Sequence, residues 1–158
     1  MAFELESLQQ QAADLAFRHA LGLATVGDVI AWADRLVGSL DSPGSAIMDL
    51  SLAANDPASI HRRLDELGNG SDRRLALKRA LLEMHNRVAD GRADLRSTLD
   101  ILLHSYCREI HAIPRSVHEF VELAHAQYDL FDAGITARSI GGIEGEILAE
   151  LRELAERL

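Results

Sequence analysis

Apolar residues recur at three- and four-residue intervals along almost the whole chain, and no run of β-branched residues alternates over a strand's length. Spacing of that kind matches the 3.6-residue turn and lines one face of a helix. It predicts an all-α fold. Leu5, Leu8, Ala12, Leu15 and His19 make the first stripe, and Gly22 sits where a C-terminal cap needs a left-handed residue. Thr25-Val-Gly-Asp28 resembles a capping box with Asp in the Glu place. Val29, Ala33, Leu36, Val37 and Leu40 follow on one side, with Trp32 beside them as an anchor. Ser42-Pro43-Gly44 is a turn, and Ile47, Leu50 and Ala54 mark a short helix over 46–54.

Asp56-Pro57 opens the next helix, since Asp accepts from free amides and Pro fits the first turn. Ile60, Leu64 and Leu67 face inward there, and Gly68 ends it. Asn69-Gly70-Ser71 is the clearest loop, too short to be a flexible linker. Beyond it Asp72 starts a helix with Leu77, Ala80, Leu81, Met84 and Val88 inward, ended by Gly91. Leu95, Leu99, Leu102, Leu103, Tyr106 and Ile110 mark a long helix that Pro114 stops. Ser116-Val-His-Glu119 reads as a full capping box, with Phe120, Leu123, Ala124, Tyr128 and Phe131 inward and Gly134 at the end. Ile147, Leu151, Leu154 and Leu158 define the last helix, whose start the glycines at 141, 142 and 145 obscure. The sum is about eight antiparallel helices, in a compact bundle or a short irregular solenoid. The 158 residues fit one domain, with possible lobes at 1–68 and 72–158. No self-similarity at a fixed period announces a known helical repeat.

Charge narrows the function classes. The formal net charge is −9, and it is uneven: residues 1–61 carry net −6, residues 62–96 net +3, and residues 97–158 net −6. Such a balance disfavours nucleic acid, whose binding rests on neutralised phosphates, and an anionic membrane surface. It suits a basic protein partner. The basic middle interleaves Arg62, Arg63, Arg73, Arg74, Lys78, Arg79 and Arg87 with Asp65, Glu66, Asp72 and Glu83, the pattern of a salt-bridged face. Cys107 is the only cysteine, so no internal disulfide forms. The first 18 residues lack the basic start and apolar run of a signal peptide, and no apolar stretch approaches membrane-spanning length. A cytoplasmic location follows as the expectation.

The catalytic search returns little. His104, His111, His118 and His125 recur every seven residues. Two helical turns separate neighbours on one helix by about 10.5 Å, so neither His104 and His111 nor His118 and His125 can share a metal held at about 2.0–2.1 Å, and Pro114 breaks the series. Glu122-Leu-Ala-His125 is a better fragment, because Glu and His three apart project together as in di-iron bundles. No second Glu-x-x-His exists, although Asp100 and His104 are a substitute pair. His118, Glu122, His125, Asp129 and Asp132 read as a solvent face. There is no Gly-x-Ser-x-Gly elbow, Cys107 sits inside a helix, and Gly141-Gly-Ile-Glu-Gly145 lacks the lysine of a phosphate loop. The expectation is no catalysis, no cofactor and no metal, with a metal-dependent helical enzyme using Glu122 and His125 as the alternative reading.

The stretch Ala24-Thr-Val-Gly-Asp-Val-Ile-Ala-Trp-Ala-Asp-Arg-Leu36, followed by Ile47-Met-Asp-Leu-Ser-Leu-Ala53, resembles small all-helical proteins of bacterial toxin–immunity loci. Immunity proteins of contact-dependent growth inhibition systems are among them. The resemblance implies a cytoplasmic protein that binds a cognate toxin domain and blocks it without catalysis. A basic toxin, such as a nuclease, would meet an acidic inhibitor favourably. A helical scaffold or adaptor is the other non-catalytic expectation. The acidic thirds are the candidate binding surfaces. Glu119, Glu122, Asp129 and Asp132, near the outer side of one capped helix, are the expected partner-binding residues.

Overall fold

The structure is a computed structural model that describes residues 2–52, 57–107 and 113–158, with side chains for 8–52, 59–105 and 113–158. Readings made on Leu5, Ala54, Asp56, Tyr106, the Cys107 side chain, Ile110 and His111 lie outside the described residues. The architecture is all-helical, with eight helices and no strand among the described residues. Two compact units divide the chain, residues 1–76 and 77–158. The division falls beyond the Asn69-Gly70-Ser71 loop, within the first turn of the following helix.

The first unit holds α1 (Ala2–Ala20), α2 (Val26–Ser39), α3 (Ser45–Ser51) and α4 (Pro57–Leu67). α1 packs on α4 and α2 on α3, and Ala12, Leu15, Val29, Ile47, Ile60 and Leu64 meet in one core. Trp32 is buried against that core and its indole N–H donates to Gln11 Oε1 at 3.1 Å, tying α2 to α1. Gly68 is buried at the end of α4. A Cβ there would lie 3.0 Å from the Ala13 nitrogen of α1, so this crossing is close because the residue has no side chain. Gln10 reaches from α1 to the Asp72 backbone, accepting from its N–H at 3.1 Å and donating to its carbonyl at 3.3 Å.

His19 sits half-buried near the end of α1. Burial first, and the neighbouring His61 second, hold its imidazole below the ordinary histidine range. Folding therefore favours neutral His19, while the unfolded chain takes up the proton near 6.5. Stability from this group is complete above that pH and declines as pH falls toward the folded-state value. Urea midpoints of the parent chain should fall between about pH 7.5 and pH 5.5, and less steeply in His19→Gln. Equal slopes in the two proteins would assign the acid sensitivity to other groups.

The second unit is built from α5 (Arg73–Ala89, whose first turn belongs to the first unit), α6 (Leu95–Cys107), α7 (Arg115–Asp132) and α8 (Ile140–Arg157). α7 packs against α6 on one side and α8 on the other. Leu81, Leu99, Leu102, Val121, Ile147 and Leu151 are among its buried aliphatic residues, along with Leu77 and Ile143. Lys78 of α5 donates to the Glu156 carbonyl of α8 at 3.1 Å. The start of α8 is set by Ser139, whose Oγ accepts from the Gly142 N–H at 3.1 Å, and the glycines lie inside its first turns. The capping serine thus offsets part of what three glycines cost the helix.

The turns that open the two units are wired alike, although no repeat was expected. Ala20-Leu-Gly-Leu-Ala-Thr25 joins α1 to α2, and Ala89-Asp-Gly-Arg-Ala-Asp94 joins α5 to α6. Gly22 and Gly91 have φ of 69° and 70°. The Leu23 and Ala24 amides both donate to the Arg18 carbonyl, and the Arg92 and Ala93 amides both donate to the Arg87 carbonyl. Each glycine takes the left-handed place that closes the helix end. Each turn then ends in a side-chain cap: Thr25 Oγ1 accepts from the Asp28 N–H, and Asp94 Oδ2 accepts from the Ser97 N–H at 2.9 Å. The box read at Thr25 and Asp28 is formed, because the Asp28 carboxylate also accepts from the Thr25 N–H at 2.7 Å.

On α7 two readings change, and Leu40, read as part of the inward stripe of α2, is its exposed C-cap. Ser116 does not cap α7. The helix starts at Arg115, its N-cap is Pro114 at φ −61° and ψ 150°, and no side chain caps it. Proline at 114 fixes an extended entry two residues earlier than the Ser116-Glu119 box requires, which puts Ser116 inside the helix and leaves Glu119 to pair elsewhere. Leu123 was assigned to the buried stripe, but it is 64% exposed. The buried residues are Val117, Phe120, Val121, Ala124 and Tyr128, and Leu123 lies on the opposite side of the turn.

Candidate functional site

The acidic residues singled out in the sequence meet on α7, and the surroundings of each differ. Glu119 pairs with Arg115 one turn earlier at 2.8 Å, in a contact whose partners are both exposed. Glu122 faces His118, with Nε2 3.2 Å from the carboxylate. Asp129 is exposed and has no ion-pair partner among the described residues. Asp132 is tied into the unit instead. Arg96 of α6 donates to both of its oxygens, at 2.9 and 3.0 Å. That hydrogen-bonded pair holds the Asp132 carboxyl below the usual carboxylate range.

The same guanidinium lies over the Tyr128 ring, 4.1 Å from its centre, and the Tyr128 hydroxyl donates to Glu144 Oε1 of α8 at 3.1 Å. Burial first, then the Glu144 charge, push this phenol up to about 12. Arg96, Tyr128, Asp132 and Glu144 therefore form a clamp through α6, α7 and α8. Asp132 works on the inner edge of α7, while Glu119, Glu122 and Asp129 remain on its outer face.

That outer face is not purely charged. Leu123 and Leu130 are exposed on it, at 64% and 46%, and Ile135 just past the helix end is exposed at 73%. Glu119, Leu123, Ala126, Leu130 and Ala133 follow one another at steps of four, three, four and three, all of them exposed. Steps that average 3.5 residues keep side chains on one seam of a helix. Glu122 and Asp129 run along one flank, a heptad apart. No protein-family model, curated protein or solved structure matches the chain. The face is thus read from its own chemistry. Apolar side chains left in water inside a charged rim have the anatomy of a binding surface, in which a desolvated centre is ringed by polar groups.

Glu122 and His125, the pair considered for a metal, do not converge. Glu122 turns to His118, whereas His125 Nε2 is 3.4 Å from Asp100 of α6. His118 and His125 are half-buried, so both sit at the margin of the solvent face rather than within it. His104 is engaged with the Asp100 carbonyl of its own helix at 2.7 Å. Among the described residues no three His, Cys, Asp or Glu side chains come together as a metal would need. No helix among them is long and apolar enough to cross a membrane.

The basic middle is interleaved with acids as its sequence suggests. Arg73 pairs with Asp65 and Arg87 with Glu83, each at 2.8 Å, and Arg63 reaches Asp49 of α3. Sequence reasoning found the carboxylates of α7 but missed the leucines among them. The signal was present, since Leu123 and Leu130 are a heptad apart on a line with Ala126 and Ala133.

Proposed function

We propose that the protein is a non-catalytic immunity protein, acting in the cytoplasm, that binds a cognate basic toxin domain and covers its working surface. The observation that carries this reading is the outer face of α7, where uncovered leucines lie among carboxylates. A net charge of −9 adds long-range attraction for a basic partner, and a nuclease domain is basic because its substrate is a polyanion. The resemblance at 24–36 and 47–53 supplies the partner class. Binding would block the toxin by occupying the site its substrate needs, with no reaction on either protein.

Co-expression tests the proposal. A toxin domain encoded beside this protein's gene should be harmless to cells that make the protein and lethal without it, while unrelated toxins stay lethal. Purified, the two should associate faster at low salt, and Glu122→Arg with Asp129→Arg should slow association about tenfold and flatten its salt dependence. Failure of the pair to bind would remove the toxin as partner.

A further inference from the structure

Resting on the binding function above, we infer that the outer face of α7 receives an amphipathic helix of the partner, carrying basic side chains on the flank that meets Glu122 and Asp129. The seam runs from Glu119 to Ala133 at alternating steps of four and three, a length of about 21 Å or two heptads. Large and small residues alternate along it: Leu123, Ala126, Leu130, Ala133. Leucines supply knobs and alanines leave holes, so a second helix can approach closely and set its own large residues over Ala126 and Ala133. A strand repeats every two residues and would match only part of this spacing.

Charge selects the occupant. Among the described residues of α7, Glu119, Glu122 and Asp129 stand against the guanidinium of Arg115, which Glu119 already engages. Glu122 and Asp129 lie on one flank, and the opposite flank offers Ser116 and Gln127, which carry no charge. A second copy of this helix docked antiparallel would bring the acidic flank onto its own counterpart, a like-charge contact in a partly desolvated place. A lysine- or arginine-flanked helix meets the same carboxylates as opposite charges. One edge being acidic and the other neutral also fixes which way round that helix lies.

The full-length protein is titrated against a synthetic, fluorescein-labelled helical peptide about three heptads long, with Leu and Ala on its seam and Lys on its flanks. An isomer with Glu in place of every Lys is the control. The Lys peptide should bind about tenfold more tightly than the Glu peptide. Leu123→Ser with Leu130→Ser should weaken it about thirtyfold, because truncated central anchors carry most of an interface's energy. Both positions are exposed, so circular dichroism should show helix content unchanged. Leu52→Ser, which removes an exposed leucine of the other unit, should leave binding as it was. Equal binding of the two peptides, or loss at Leu52 rather than at Leu123 and Leu130, overturns the inference. So does a dimer in sedimentation equilibrium that the double serine variant dissociates. If the double variant still protects cells from the toxin, the α7 seam is wrong and the immunity reading stands. If the Lys peptide binds as described but no toxin is neutralised, the seam stands and the immunity reading falls.

Discussion

Gly68→Ala is expected to destabilise the first unit by about 1–3 kcal/mol, although most glycine-to-alanine changes at compatible sites stabilise. The sign rests on space alone. Gly68 does not adopt the left-handed backbone seen at Gly22, Gly70, Gly91 and Gly134, so strain in its own dihedrals plays no part. A methyl group there would stand 3.0 Å from the Ala13 nitrogen and 3.2 Å from its Cα. Those neighbours are backbone inside α1 and can yield only by moving the helix away from α4. Gly38 in α2 is the matched control, because a Cβ there meets nothing within 4 Å. Gly38→Ala should stabilise by about 0.5–1 kcal/mol through helix propensity. Urea unfolding combined with hydrogen exchange of α1 and α4 amides measures both, whether or not the two units unfold together. Two variants shifting in the same direction would refute the close crossing.

Tyr128→Ala should have a larger effect, about 3–5 kcal/mol, since the residue is only 2% exposed and its ring carries Arg96 on one face. Tyr128→Phe separates the ring from the hydroxyl. It keeps the packing and the stacked guanidinium and loses only the bond to Glu144, about 1 kcal/mol. Alkaline pH gives a second reading of the same clamp. The folded phenol holds its proton to about 12, whereas an unfolded tyrosine releases it near 10.0. A raised pKa means stability that is complete below about 10 and lost as pH climbs toward 12. Urea midpoints at about pH 9 and pH 11 should therefore fall further in the parent chain than in Tyr128→Phe. Equal falls would show that Tyr128 does not titrate late, and a Phe variant as unstable as Ala would place the energy in the hydroxyl.

Helix existence was legible in the sequence because spacing and caps agreed. Gly22, Gly91 and Gly134 all take the left-handed backbone expected of helix ends, and Thr25 caps as its box suggests. The start of α7 was misread because proline and serine both signal a helix start, and the fixed dihedral of Pro114 acts before the Ser116 side chain can. Ser139 was overlooked because three nearby glycines argue against a helix until the cap's hydrogen bond is seen. The candidate face was half legible. Carboxylates on an outer surface follow from amphipathicity, but Leu123 was assigned inward because a leucine near an apolar stripe usually is. Asp132 could not be separated from Asp129 by sequence, since only the crossing of α6 brings Arg96 to one of them.

The paired turns at Ala20–Thr25 and Ala89–Asp94 show how little of a loop's sequence its shape demands. One glycine and one capping side chain hold the backbone in both, and the positions beside the glycine have gone separate ways. Leu21 and Leu23 are buried in the first, so that turn carries apolar side chains out of water. Asp90 and Arg92 are exposed in the second and pair with each other at 2.7 Å. The hinge between two helices thus acts as a standard fitting whose faces are free for other uses. Exchanging Leu21 and Leu23 for charged residues would put charge where apolar side chains are buried, yet the corner itself would still turn.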